Sequence, residues 1–240
     1  MKKEDKKKWL WAAGLGAVLL TAVVCLFVIP KSGPGAASSA IPSSAPAPTA
    51  AASPTPLTLA RAKNSDVVGW LSVPGTDIDD PVVQAADNEH YLRRTWEGKQ
   101  DVWGSYFLDY ECHASGCEAL DRVSIIYGHS IGDDPDGKCF SQLKRYADPA
   151  FSAEHPYLNW QLADGGTLWQ VFAAGEVPVT LNYLDPNPDD TACAQLLDAL
   201  REAGGDGFEA VTVDGEDKLL ILSTCTSDDA VRFVVAAKLL

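Results

Sequence analysis

Three chemically apt residues stand at the ends of apolar runs in the second half of the chain. Cys225 closes KLLILSTC and is followed by the polar turn TSDDA; His129 closes RVSIIYGH; Arg232 opens RFVVAAKLL, seven residues after Cys225. A cysteine thiolate attacks carbonyl carbon and splits one hard exchange into two easier steps. An imidazole moves protons near neutral pH, and a permanently charged guanidinium stabilises the negative oxygen of a tetrahedral intermediate. Taken singly, each has an ordinary reading: Cys225 as a small core residue, His129 as a structural or surface histidine, Arg232 as the ion-pair partner of Asp228 or Asp229. Together, at three strand ends, they point to chemistry. His90, His113 and His155 lack comparable settings, and Arg232 is the only Arg or Lys between Cys225 and Lys238.

The remaining cysteines outside the N-terminal apolar stretch are Cys112, Cys117, Cys139 and Cys193. With Cys225 they make an odd number, so at least one thiol is unpaired within a monomer. Cys112 and Cys117 flank the loop ECHASGC and are close enough in sequence for a local bridge. His113 could join them on zinc, but no second Cys/His cluster has ligand spacing, so no metal or other cofactor is expected. The acidic stretch GDDPDG at 132–137 lacks the alternating ligands and terminal Glu of a calcium loop and reads as a solvated turn.

The elements that must position these residues follow an unusual N-terminal quarter. Residues 1–8 carry five Lys against Glu4 and Asp5, and residues 9–29, WLWAAGLGAVLLTAVVCLFVI, are free of charge. About 20 apolar residues span a bilayer, and the basic flank places the N-terminus in the cytoplasm with the rest of the chain outside the cell. A cleaved signal peptide is the alternative, but its apolar core is typically only about 7–15 residues long. Cys25 follows Val23 and Val24, where a lipoprotein signal would carry a small residue, and reads as part of the span. Residues 30–56 are rich in Pro, Ala and Ser, too poor in large apolar groups to build a core, and read as a tether. The whole chain has a net charge of −14, which leaves −17 after the basic tail. So acidic a domain repels phosphate backbones, and nucleic-acid binding is excluded.

The folded domain is expected over 57–240 and is mainly β. A short helix over Leu57–Ser65 precedes the runs VVGWLSV, DIDDPVVQ, GSYFLDY, RVSIIYGH, TLWQVFAAGEV, EAVTV, KLLILSTC and RFVVAAKLL, which read as strands. A helix follows Asp189 or Asp190, with Ala192, Leu196, Leu197 and Leu200 on one stripe and Gly204–Gly205 as its stop. A second helix is expected over Cys139–Tyr146. Many short strands with few helices suggest a closed or nearly closed barrel.

YGHS at 127–130, LSTC at 222–225 and RFVV at 232–235 resemble the His, Cys and Arg motifs of sortases. NSDVVGWLSVPGTDIDDPVVQ, DNEHYL, GSYFLDY and the helix before the last strand pair resemble class B in the same order, over about residues 64–240. The resemblance implies an eight-stranded sortase β-barrel with a short N-terminal helix and a late helix before the last strand pair. It also implies a cysteine transpeptidase that cleaves the sorting motif of surface proteins or pilins and transfers the acyl group to a peptidoglycan-precursor or pilin amine. It assigns Cys225 as nucleophile, His129 as acid/base and Arg232 as oxyanion stabiliser. Asn88, Leu92, Tyr183, Leu184, Ser223 and Thr224 would line the peptide groove, with Asn88 hydrogen-bonding the extended peptide and Leu92 and Leu184 as apolar walls. The gap between Cys225 and Arg232 is shorter than in some class B members, which bears on substrate fit. A hydrolase that stops at water and a tethered adhesion or sensor domain without activity are the competing readings.

Overall fold

A computed structural model describes residues 53–205, 207–208 and 210–240. The basic tail, the expected membrane anchor and most of the tether lie outside the described residues. Among the described residues no helix is long and apolar enough to cross a membrane.

The described chain opens with helix α1 (Pro56–Lys63). The Thr55 hydroxyl accepts from the Thr58 backbone N–H at 3.2 Å, and Pro56 opens the helix where its missing N–H costs nothing. The helix ends short of the expected Ser65 because Asn64 is extended and its side-chain amide donates to Tyr91 Oη and the Trp96 carbonyl.

Eight strands follow: β1 (Val67–Ser72), β2 (Asp79–Val83), β3 (Tyr106–Leu108), β4 (Val123–Tyr127), β5 (Tyr157–Leu162), β6 (Gly165–Pro178), β7 (Leu219–Cys225) and β8 (Val231–Leu239). They close a barrel in the order β1-β2-β3-β4-β7-β8-β6-β5, and β5 returns to β1. Closure leaves no edge strand to be covered. Ile125, Leu220, Leu222, Val235, Trp160 and Trp169 are among the buried side chains that fill it.

Two strand expectations fail. YLNWQL, not singled out from the sequence, forms β5 and turns tightly into β6, where Leu162 pairs with Gly165. Of EAVTV, the described residues 210–213 form no strand: Val211 donates back to the Phe208 carbonyl, and the Val213 carbonyl accepts from Arg201 Nη2. Its backbone groups are thus engaged locally and by the preceding helix instead of a neighbouring strand.

The expected helix at Cys139–Tyr146 is a 3-10 helix over Phe140–Ala147, and a further short helix, α2 (Pro149–Glu154), follows it on an Asp148 cap. The late helix, α3 (Asp190–Ala203), is capped by Asp189, whose carboxylate accepts from the Ala192 N–H at 2.8 Å. It buries Cys193, Leu196, Leu197 and Leu200 and precedes β7 and β8, the last strand pair. A second apolar cluster of Leu57, Ala60, Val67, Val83, Tyr91 and Phe107 packs α1 and the segment around residue 91 onto the barrel, with Leu92 and Trp96 at its margin.

Candidate active site

Strand direction brings the three chemical residues to one rim. β4 and β7 are parallel neighbours in a register that pairs Tyr127 with Ser223. Parallel strands end at the same side of a sheet, so His129 and Cys225, each two residues beyond that pair, emerge together. β7 and β8 are antiparallel, and Cys225 lies directly opposite Arg232. Directly opposed residues on adjacent strands project to the same face. Cys225 is exposed at its strand end, whereas Ser223 and Thr224 before it are buried.

The backbone around His129 is tightly held. Gly128 donates to the Ser223 carbonyl, and the Thr224 hydroxyl donates to the Gly128 carbonyl at 2.7 Å. A Cβ on Gly128 would stand 2.7 Å from the Phe140 ring and 2.8 Å from Tyr106, which stack at 4.6 Å. His129 Nε2 lies 2.8 Å from the Leu92 carbonyl. A carbonyl only accepts, so Nε2 carries a proton and Nδ1 is the nitrogen left for exchange. Leu92 is held in turn by the cluster under α1. Gly104 runs so close beneath that a Cβ there would meet the Tyr91 and Leu92 carbonyl oxygens at 2.5 and 2.6 Å.

The loops beyond His129 and Cys225 are tied to each other. Asp133 accepts from the Ser227 N–H and from Lys144 Nζ, and Lys144 also donates to Ser130 Oγ and the Gly132 carbonyl. These bonds, that from Lys144 foremost, hold the Asp133 carboxyl down at about 2. The 132–137 stretch is therefore more than a solvated turn: Asp133 clamps two loops, and Asp136 pairs with Arg145 at 3.0 Å.

Cys225, His129 and Arg232 line one cleft of about 270 Å³ with Asn88, Glu89, Leu92, Phe107, Tyr127, Gly128, Tyr183, Ser223 and Thr224. Arg232 makes no ion pair with Asp228 or Asp229; its Nη1 donates to the carbonyls of Asp229 and Val231. The Tyr183 and Ser223 hydroxyls are 3.0 Å apart in the floor, and burial pushes the Tyr183 phenol above its usual range. Leu184 lies elsewhere. It is 47% exposed and borders a shallow depression with Glu111 and Asn187, while its neighbour Tyr183 turns inward. A second cleft of about 230 Å³ is also lined by His129, with Asp80, Trp96, Glu97, Trp103, Tyr106 and Cys139.

Sequence reasoning missed Tyr127, Phe107, Glu89 and Asp109. Tyr127 and Phe107 sit within runs already read as strands, and their rings pack at 5.3 Å in the cleft. Asp109 lies beneath: its carboxylate accepts from Asn88 Nδ2, from Tyr127 Oη and from the Glu111 N–H, all at 2.9 Å.

Of the remaining cysteines, Cys139 borders the second cleft, and Cys112, Cys117 and Cys193 line neither. Cys112 and Cys117 are free thiols; Cys112 donates to the Val123 carbonyl and Cys117 to Asp164, so no local bridge forms. Burial pushes the Cys112 thiol up to about 12 and raises that of Cys139. His113 faces Asp121 at 3.2 Å, and among the described residues no group of three or more His, Cys, Asp or Glu could hold a metal ion.

No family model matches the chain. It is 31% identical over 180 residues to Sortase B of Listeria monocytogenes, covering 73% of this chain and 70% of that protein. The crystal structure of Staphylococcus aureus Sortase B superposes with a TM-score of 0.67 at 30% identity, covering 76% of this chain and 85% of that one. A structure described as the S. aureus sortase B-substrate complex gives a TM-score of 0.67 at 29% identity, covering 76% and 83%.

Proposed function

The chain belongs to the class B sortases and is a cysteine transpeptidase, and from that premise we propose that Cys225, His129 and Arg232 carry out a two-step acyl transfer on sorting peptides. The observation that carries this reading is the convergence of the three residues on one cleft. Cys225 passes its thiol proton to His129 as Sγ bonds to the carbonyl carbon of the scissile amide, and the C–N bond breaks as His129 hands that proton to the departing amine. In the second step an acceptor amine bonds to the same carbon and gives a proton to His129, and the C–S bond breaks as that proton returns to Sγ. The Arg232 guanidinium, opposite Cys225, stabilises the negative oxygen in both steps.

The donor peptide is the C-terminal sorting segment of a surface protein or pilin, held in the cleft that Cys225 opens into, with Asn88, Leu92, Tyr183, Ser223 and Thr224 along it. The S. aureus neighbour described as a sortase B-substrate complex supports a substrate held on this fold. The acceptor is a peptidoglycan-precursor or pilin amine. His129 borders two clefts, which suits a base that serves a departing amine and an arriving one. The apolar run at 9–29 and the basic tail support a membrane anchor with the catalytic domain outside the cell, on a tether formed by residues 30–56.

The test is product partition. Full-length protein is incubated with LPxTG-like and NPxTN-like peptides, with and without amine acceptors, and the products are separated by chromatography. Amine-dependent ligated product is expected at the expense of hydrolysis. Cleavage that yields only acid whatever the amine would make the protein a hydrolase; no cleavage of any peptide by a folded sample would contradict the reading.

A further inference from the structure

We propose that Asp109 is a positioning residue for the donor-peptide groove, fixing the side-chain amide of Asn88 so that its outer edge can read one peptide unit. This rests on the assignment of the Cys225 cleft to the donor peptide.

Asp109 follows β3, and its own N–H donates to the Ile125 carbonyl on β4 at 2.9 Å, so its backbone is anchored to the barrel. The residue is only 3% exposed. A buried carboxyl is costly unless its oxygens are hydrogen-bonded, and an apolar residue would serve a purely structural turn at less cost. Here the oxygens are engaged by Asn88, Tyr127 and the Glu111 N–H, and the first two of these partners line the cleft. The Asp109 carbonyl is also fixed, accepting from Gln84 Nε2 at 2.7 Å.

The consequence falls on Asn88. Its Nδ2 donates to Asp109, and its Oδ1 accepts from the Tyr110 N–H at 3.0 Å. A backbone N–H can only donate, and the Asp109 oxygen is the acceptor for two side chains, so the amide has one orientation and not its flipped alternative. One N–H and one oxygen lone pair remain on the outer edge. That pairing of a donor and an acceptor complements the C=O and N–H of an extended peptide. Tyr127 Oη shares the same carboxylate oxygen as Asn88, which fixes the carboxylate itself; burial, with Asp109 alongside, pushes the Tyr127 phenol up, so it remains a donor.

The experiment is a double-mutant cycle on the full chain, read as peptide KM, amine KM and kcat for wild type, Asp109→Asn, Asn88→Ala and the double variant. Asp109→Asn keeps the shape but replaces one acceptor by a donor. It should raise the donor-peptide KM about tenfold. The kcat at saturation and the amine KM should stay within about twofold. In the Asn88→Ala background the same change should add less than about twofold, because there is no amide left to orient. Equal penalties in both backgrounds, or a loss confined to kcat, would overturn the proposal. Should Asp109→Asn not fold, the Asn88 side-chain NH₂ of the wild-type protein decides by NMR. Protection of one of its two protons from exchange is expected; exchange as free as that of an exposed asparagine would overturn it. A wild-type protein that turns over no peptide fails the donor-cleft assignment instead, a separate and recognisable outcome.

Discussion

At the scale of single residues, the cleft brings together three side chains for which distinct duties are proposed. Cys225 is the exposed thiol of the five described, while Cys112 and Cys193 are buried and Cys117 and Cys139 partly so. Arg232 holds its position through backbone carbonyls and not through an acidic neighbour, which leaves its charge unneutralised by an ion pair. In the proposed mechanism its planar fork meets the developing oxyanion, and a lysine at the same place offers a point charge on a different stem. Arg232→Lys is therefore expected to lower kcat by about 10²–10³-fold. Alkylation of Cys225 should proceed at a nearly unchanged rate, since the thiol itself is not altered. Steady-state kinetics beside iodoacetamide labelling checks this; an unchanged kcat would remove Arg232 from the mechanism. Asp109 shows what single-residue reading cannot reach. In FLDY it reads as an ordinary turn residue, and its partner Asn88 is 21 positions away on another segment, so only the folded chain shows that they meet.

At the scale of elements, what was legible depended on how each segment hides its backbone. The strands ending near His129 and Cys225 are continuous apolar runs because they are buried neighbours in the barrel, and such runs stand out. β5 did not stand out: it alternates exposed and buried positions over only six residues, with its polar positions facing outward. EAVTV carries strand-like residue types, yet α3 and Phe208 engage its backbone, a tertiary effect that propensity does not contain. Leu184 was placed on the groove by resemblance, but it faces away from its neighbour Tyr183 and lines a different surface. The loop clamp makes its own prediction. Asp133 has its carboxyl lowered from 3.8 to about 2 by Lys144 first and Ser227 next. A lowered folded-state value means the clamp contributes fully above about pH 4 and is lost as pH falls through about 2. An NMR titration should find the Asp133 midpoint near 2 in the wild type and moved back towards 3.8 in Lys144→Ala. A midpoint that does not move would show that Lys144 is not the main cause.

At the scale of the molecule, a closed barrel makes the site a matter of topology. Parallel pairing of β4 with β7 sends the histidine and cysteine to one rim, antiparallel return through β8 sets the arginine opposite, and the cluster under α1 supports the Leu92 carbonyl that holds the imidazole. The fold thus gathers His129, Cys225 and Arg232, the first and last of them 103 positions apart in sequence, without any metal or cofactor being needed for the proposed steps. The assignment of Cys225 as nucleophile is tested by intact-protein mass spectrometry of the full chain quenched in acid during turnover of a cleavable peptide. A covalent acyl adduct that maps to Cys225 on digestion and disappears when an amine acceptor is added is the predicted result. An adduct on Cys139 or Cys117, or peptide turnover that persists in Cys225→Ala, would contradict it.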